Sequence, residues 1–254
     1  MRVVVAGGTG RVGAQLVAML RAGGHDAVPL ARSTGADLQT GAGVDAALTG
    51  ADVVVDVTRP STYVDAEVLA FFTTGTRTLL DAGARAGVRH HLVLSIVGVD
   101  HVDAGFYRAK RAQEDLVRAS DVAWSVVRAT QFFEFVGTIA DHLTVDGVVR
   151  VPPVAFQPVA TADVASALAD VATGEPLREV VDLAGPERVR FDAFLRDVLA
   201  ARGDGREVVT DPEARYFGAR LVQGSLVPHG EALHGGTSFA RFAARAANPR
   251  QAQG

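Results

Sequence analysis

A chain of 254 residues with 48% hydrophobic content can bury a substantial core, as one large domain or as a domain with a small appendage. The formal net charge of −4 gives no basic surplus for a nucleic-acid backbone, and the absence of cysteine excludes disulfides, thiolate metal sites and a cysteine nucleophile. No apolar run approaches the ~20 residues of a membrane span, and the first residues enter a strand directly, without a signal-peptide layout. A cytoplasmic protein with neither nucleic-acid nor membrane partners is expected.

Short β-rich runs alternate with longer amphipathic segments, the pattern of an α/β fold in which helices wrap a parallel sheet. The first unit is the most informative. A strand over Arg2–Ala6 runs into Gly7-Gly8-Thr9-Gly10-Arg11-Val12-Gly13, and a helix over Arg11–Ala22 follows at once. Strand, glycine turn and helix in this order form the opening of a Rossmann-type, doubly wound dinucleotide-binding sheet. Gly7 allows the turn, Gly10 lets the backbone approach a pyrophosphate, and Gly13 lets the helix pack close. Thr9, Arg11 and Val12 fall at the helix start, where free N–H groups and the dipole hold phosphates.

A second strand is predicted over Ala27–Ala31. An NAD site usually places a carboxylate about 20 residues past the glycines, to bind the ribose 2′-OH. This chain has Arg32 there, followed by Ser33. A guanidinium pairs with a 2′-phosphate, so the expected cofactor is NADP(H). Asp37 and Leu38 follow, as partners for the adenine amino group and ring face or, for Asp37, as an ordinary turn residue. After a short helix over Val44–Leu48, a strand over Val53–Val57 ends at Val57-Thr58, which is placed to line the cofactor.

A helix over Tyr63–Ala86 leads to a strand over His91–Leu94 that continues into Ser95. His90 and His91 stand at its start, on the side away from the cofactor, with no carboxylate–histidine constellation, and no metal site is expected. Beyond Ser95, a loop carrying His101 leads to Phe106-Tyr107-Arg108-Ala109-Lys110 on a helix over Tyr107–Ala119. Ser, Tyr and Lys together suit carbonyl chemistry. Lys110 holds the ribose, Tyr107 exchanges a proton with the carbonyl oxygen, and Ser95 helps bind that oxygen.

A strand over Ser125–Arg128 precedes Gln131-Phe132-Phe133-Glu134-Phe135. Gln131, Phe132 and Phe135, with His101 and Phe156, are the candidate substrate-binding residues. They suit a flat aromatic or polyketide-like ligand, and Tyr216-Phe217 would complete the apolar pocket. A helix over Ala162–Ala172, N-capped by Thr161, and a strand over Val180–Leu183 complete the body at residue 185. Residues 186–254 read as a small C-terminal lobe covering the substrate. It holds a helix over Phe191–Ala201, a strand over Glu207–Thr210, a helix near Ser238–Ala246 started by Thr237, and a frayed tail from Asn248.

With these residues in place, the chain resembles an atypical short-chain dehydrogenase/reductase of the NmrA-like, NAD(P)-binding group. The resemblance runs through the glycine loop, Ala51–Asp56, Gly87-Val88-Arg89-His90-His91, Arg108-Ala109-Lys110, Val127–Phe132, Gln157–Ala165 and Leu183-Ala184-Gly185-Pro186. It implies a Rossmann body, NADP(H) use, and a pocket built by the segment after Arg128 and the C-terminal lobe. Family enzymes with a working active site carry Tyr four residues before Lys. That position is Phe106 here, with the tyrosine displaced to Tyr107. Tyr107, His101 or water must then supply the proton, or no such chemistry occurs.

Three functions follow. The first is an NADPH-dependent reductase of a ketone, quinone or enone on a bulky apolar substrate; its chief rival is a non-catalytic NADP-binding sensor, and an isomerase or dehydratase using tightly held nucleotide is the third. A small molecule is the expected partner, and the chain is expected as a monomer or homodimer.

Overall fold

Runs of valine build the centre of the molecule. In the computed structural model, which describes residues 1–247, the strands β1 (Arg2–Ala6), β2 (Asp26–Leu30), β3 (Val53–Asp56), β4 (His90–Ile96) and β5 (Ala123–Ala129) share one sheet with strands Val180–Ala184 and Ala232–His234. All neighbours in this seven-stranded sheet are parallel. A parallel sheet is covered on both faces, so Val3 to Val5 and Val53 to Val55 are buried without alternation. β2 is an edge strand, where the N–H that Pro29 lacks is not needed by a further neighbour.

The helices are α1 (Arg11–Ala22), α2 (Val44–Leu48), α3 (Asp65–Ala86), α4 (Gly105–Arg118), α5 (Val136–His142), α6 (Thr161–Thr173), α7 (Phe191–Ala201) and α8 (Phe239–Ala247). Leu16 and Leu20 of α1 pack with Val164 and Leu168 of α6 over one sheet face. Leu48 of α2 and Leu79 of α3 cover the other, where α4 packs beside α3. The strand order is β2, β1, β3, β4, β5, Val180–Ala184, Ala232–His234. From β1 the chain turns one way to β2 and then returns to the other side for β3. A crevice opens where those carboxyl ends part, and doubly wound sheets bind ligands there.

A second core lies beside the carboxyl ends, with Phe133, Val136, Phe156, Phe191, Phe194 and Tyr216 at its centre. It crosses the division expected at residue 185: Phe133 and Phe156 come from before it, and Ala232–His234 rejoin the main sheet beside Val180–Ala184. Two capping expectations are also revised. Thr161 is the first residue of α6 rather than its cap, and both its N–H and its hydroxyl donate to the Glu134 carboxylate. Thr237 does not start α8; its N–H and hydroxyl both donate to Asp163 in the first turn of α6. The expected tail from Asn248 lies outside the described residues. No described helix is long and apolar enough to cross a membrane.

Candidate functional site

The glycine loop sits in the crevice. Gly7 has φ +79°, a conformation that disfavours any side chain, and a Cβ there would lie 2.9 Å from the Val57 carbonyl oxygen. Gly13 seats α1 on the loop, since a Cβ would lie 2.2 Å from the Gly7 carbonyl oxygen. Gly10 differs. A Cβ there meets only the Gly7 oxygen, at 3.2 Å, and otherwise projects into open space. The first turn of α1 has no capping side chain and no acidic residue, which leaves its N–H groups and the positive end of its dipole to a ligand. Gly7, Thr9, Gly10, Arg11, Val12 and Gly13 all line a cleft of about 930 Å³. Nothing in the loop requires Gly10 for folding alone, so the cradle fits a pyrophosphate.

From the loop, the cleft extends past Arg32, Ser33, Asp37 and Leu38 in one direction. Arg32 and Ser33 form an exposed helical turn, and Arg32 forms no ion pair among the described residues. Asp37 shows the turn behaviour that the sequence left open: its Oδ1 accepts the Gln39 N–H at 2.8 Å. Leu38 is nearly buried and forms an apolar wall. Val57 and Thr58 line the floor, where the Thr58 N–H and hydroxyl both donate to Asp56.

Lys110 stands in the middle of the cleft wall. Its ammonium donates to the Leu94 carbonyl oxygen at 2.7 Å and to the Gln113 side chain, and it lies 4.5 Å over the Phe72 ring. Burial pushes its pKa down to about 8, against the pull of Asp56 and Glu114. Gln113 relays this position, for its amide N–H donates to Asp56 at 2.8 Å and to Thr76 at 3.1 Å. Asp56, Gln113 and Thr76 were not among the candidates. They lie at one level on β3, α4 and α3, and no motif spacing joins them.

Ser95 is held differently from the expectation. Its hydroxyl donates to Glu114 Oε1 at 2.6 Å, and the same carboxylate accepts two hydrogen bonds from Arg128 and one from Arg118. With its proton committed to a buried carboxylate, Ser95 offers the cleft lone pairs rather than a donor. Binding a carbonyl oxygen would require it to rotate away from Glu114.

At the substrate end, α4 sends its two aromatic residues in different directions. Phe106 packs edge-on against Phe72 of α3, beside Lys110. Tyr107 belongs to the second core, and its hydroxyl lies next to Gln131 and Tyr216. Desolvation holds the Tyr107 and Tyr216 hydroxyls well above the usual tyrosine pKa, so both remain protonated. Phe132, Phe135, Ile139, Tyr216 and Phe217 line this end of the cleft, while Phe133 turns into the core against Phe242.

Two candidates lie elsewhere. His101 stacks on His229 at 4.7 Å in a separate surface hollow beside Asp100 and Arg108, because the Gly98 turn (φ +94°) carries the loop outwards. Phe156 is fully buried, stacked on Phe191 at 4.3 Å, because its short strand pairs with Val189–Arg190 inside the second core. His90 and His91 are buried in β4, and burial pushes both down to about 4.

Residues 7–175 match the model of the NAD(P)H-binding family. The chain belongs to that family. A curated relative, the (4-alkanoyl-5-oxo-2,5-dihydrofuran-3-yl)methyl phosphate reductase of Streptomyces griseus, is 33% identical over 166 residues, 58% of this chain and 54% of that protein. The chain thus spans about half the length of this curated relative. Among solved structures, the UDP-glucose 4-epimerase of Thermotoga maritima aligns with TM-score 0.73, 15% identity and 96% coverage of each chain. A short-chain dehydrogenase/reductase superfamily protein of Agrobacterium tumefaciens with bound NAD aligns with TM-score 0.70, 18% identity, and 99% and 97% coverage. At these identities the likeness is one of fold: a Rossmann-type sheet in an NAD(P)-binding chain.

Proposed function

We propose that this protein is an NADPH-dependent reductase of a ketone, quinone or enone carried on a bulky apolar substrate. One observation carries the reading. A single cleft runs from the Arg32–Ser33 turn, over the uncapped start of α1 and past Lys110, to an aromatic end lined by Phe132, Phe135, Tyr216 and Phe217. When bound, the nicotinamide supplies the hydride. The chain supplies the rest. Lys110, fixed by Leu94 and Gln113, would hold the ribose hydroxyls. The aromatic walls exclude water and align a flat substrate. The activity of the Streptomyces relative, a reductase, supports the same class.

Arg32 carries the preference for NADPH, since a free guanidinium stands where an NAD site would place a carboxylate. Titration calorimetry should show NADPH binding more tightly than NADH, and Arg32→Ala should weaken NADPH about tenfold or more with little change for NADH. Equal affinities in the unsubstituted protein would overturn the preference.

A second reading, an NADP-binding sensor without turnover, has specific support. Phe106 has no proton to give, and the Ser95 hydroxyl is committed to Glu114. In that case NADPH would bind with the same preference and would not be oxidised by any carbonyl acceptor.

A further inference from the structure

Three polar atoms at the aromatic end of the cleft are left unused by the protein. Tyr107 is 2% exposed, Tyr216 3% and Gln131 6%, and all three line the cleft. The Tyr107 hydroxyl and both polar atoms of the Gln131 amide have no hydrogen-bond partner among the described residues. Buried amides and hydroxyls are nearly always satisfied; these atoms lie beside one another and beside Tyr216 without closing a hydrogen bond, which leaves them bonding capacity for a ligand group.

The three residues come from separate elements. Tyr107 is on α4, Gln131 follows β5, and Tyr216 is on the hairpin formed by Arg215–Tyr216 and Ala219–Arg220. Each is held by its surroundings. The Gln131 backbone carbonyl accepts the Val159 N–H at 2.9 Å, and Tyr216 packs edge-on against Phe191 and Phe217. The backbone of Gln131 and the ring of Tyr216 are thus held in place, and the Gln131 amide and the two hydroxyls turn about their own bonds to meet a ligand.

We propose that Tyr107, Gln131 and Tyr216 form an uncharged hydrogen-bonding subsite that takes a neutral oxygen function, a carbonyl or phenolic hydroxyl, on an aromatic or polycyclic substrate. The chemistry of the three groups selects this class. An amide and two hydroxyls offer both donors and acceptors, so they match C=O and O–H alike. The surrounding wall is Phe132, Phe135 and Phe217, which stacks on a ring but offers an anion nothing in return for its lost water. Two cations also line the cleft, each over a ring: Lys110 over Phe72, and the exposed Arg59 over the outer edge of this wall at Phe135. In this arrangement Tyr107 is a substrate-positioning residue, and the displaced tyrosine and the substrate class have one explanation.

This inference rests on the proposed reductase reading, and the test keeps the two apart. Binding of 2-naphthol and of naphthalene, its oxygen-free counterpart, would be measured by equilibrium dialysis with and without saturating NADP⁺. NADPH affinity would be read on the same samples. The unsubstituted protein should favour 2-naphthol by about tenfold. Gln131→Met and Tyr216→Phe should each lose most of that preference while binding naphthalene as before. Tyr107→Phe should do the same, and the other two variants keep the proposal falsifiable if it misfolds. Equal binding of the two probes, or a preference that survives all three substitutions, would overturn the subsite with NADPH binding intact. A preference for 2-naphthol in a protein that does not bind NADPH would uphold the subsite and overturn the reductase.

Discussion

Three of the four glycines in one loop do three different jobs, and substitution should separate them. At Gly13 a methyl group would press on the Gly7 carbonyl oxygen, so Gly13→Ala should damage the seating of α1 and lower stability by about 1–3 kcal/mol, the usual scale of overpacking. At Gly10 the fold needs only a small adjustment, and the new side chain would fill the space in which a pyrophosphate must lie. Gly10→Val should therefore keep the circular dichroism spectrum and melting point while losing NADPH binding. A Gly10→Val protein that binds NADPH normally would reduce the loop to a structural turn. The turn at Gly7 and the helix seating at Gly13 were legible from the spacing alone. The roles of Ser95, His101 and Phe156 were not, because each depends on which way a side chain turns: Ser95 towards Glu114, His101 onto His229, Phe156 onto Phe191.

At the scale of elements, continuous valine runs and long amphipathic stretches marked β1, β3, α1 and α3 to within a few residues. Strand Ala232–His234 escaped notice because three residues without alternation carry no periodic signal, and only the open edge of Val180–Ala184 makes them a strand. The start of α6 shows the same limit. Thr161 has the residue type of a cap, yet the capping carboxylate is Glu134, 27 residues earlier. Glu134→Ala removes the acceptor for the Thr161 N–H and hydroxyl and should lower the unfolding free energy by about 1–2 kcal/mol in urea titration. Thr161→Val would keep the backbone N–H bond to Glu134 but lose both hydroxyl bonds, the one to Glu134 and the one accepted from Gln15. An unchanged midpoint in Glu134→Ala would show that α6 does not depend on this contact.

For the molecule as a whole, the buried pair His90 and His91 couples folding to pH. Burial lowers both pKa values from about 6.5 to about 4. The unfolded chain therefore binds more protons than the folded one between those values, and stability must rise with pH across that window. The stabilisation is complete above about pH 6.5 and is lost as the pH falls towards 4. Within the window the slope is about 1 kcal/mol per pH unit for each proton that the unfolded chain binds in excess. Urea unfolding from pH 7 to 4.5 should show this decline, and His90→Asn should flatten it; a pH-independent midpoint would contradict it.

The same architecture brings the glycine loop, Lys110 and the aromatic end into a single cleft, and the account stands on what that cleft does with a reduced cofactor. The most direct measurement is a single-turnover experiment at 340 nm: NADPH bound to excess protein, mixed with a panel of quinones and aromatic ketones. The account predicts first-order loss of NADPH with at least one neutral aromatic acceptor, absent in Gly10→Val and slower with NADH. NADPH that binds tightly yet survives every acceptor would contradict the reductase and leave the sensor in its place.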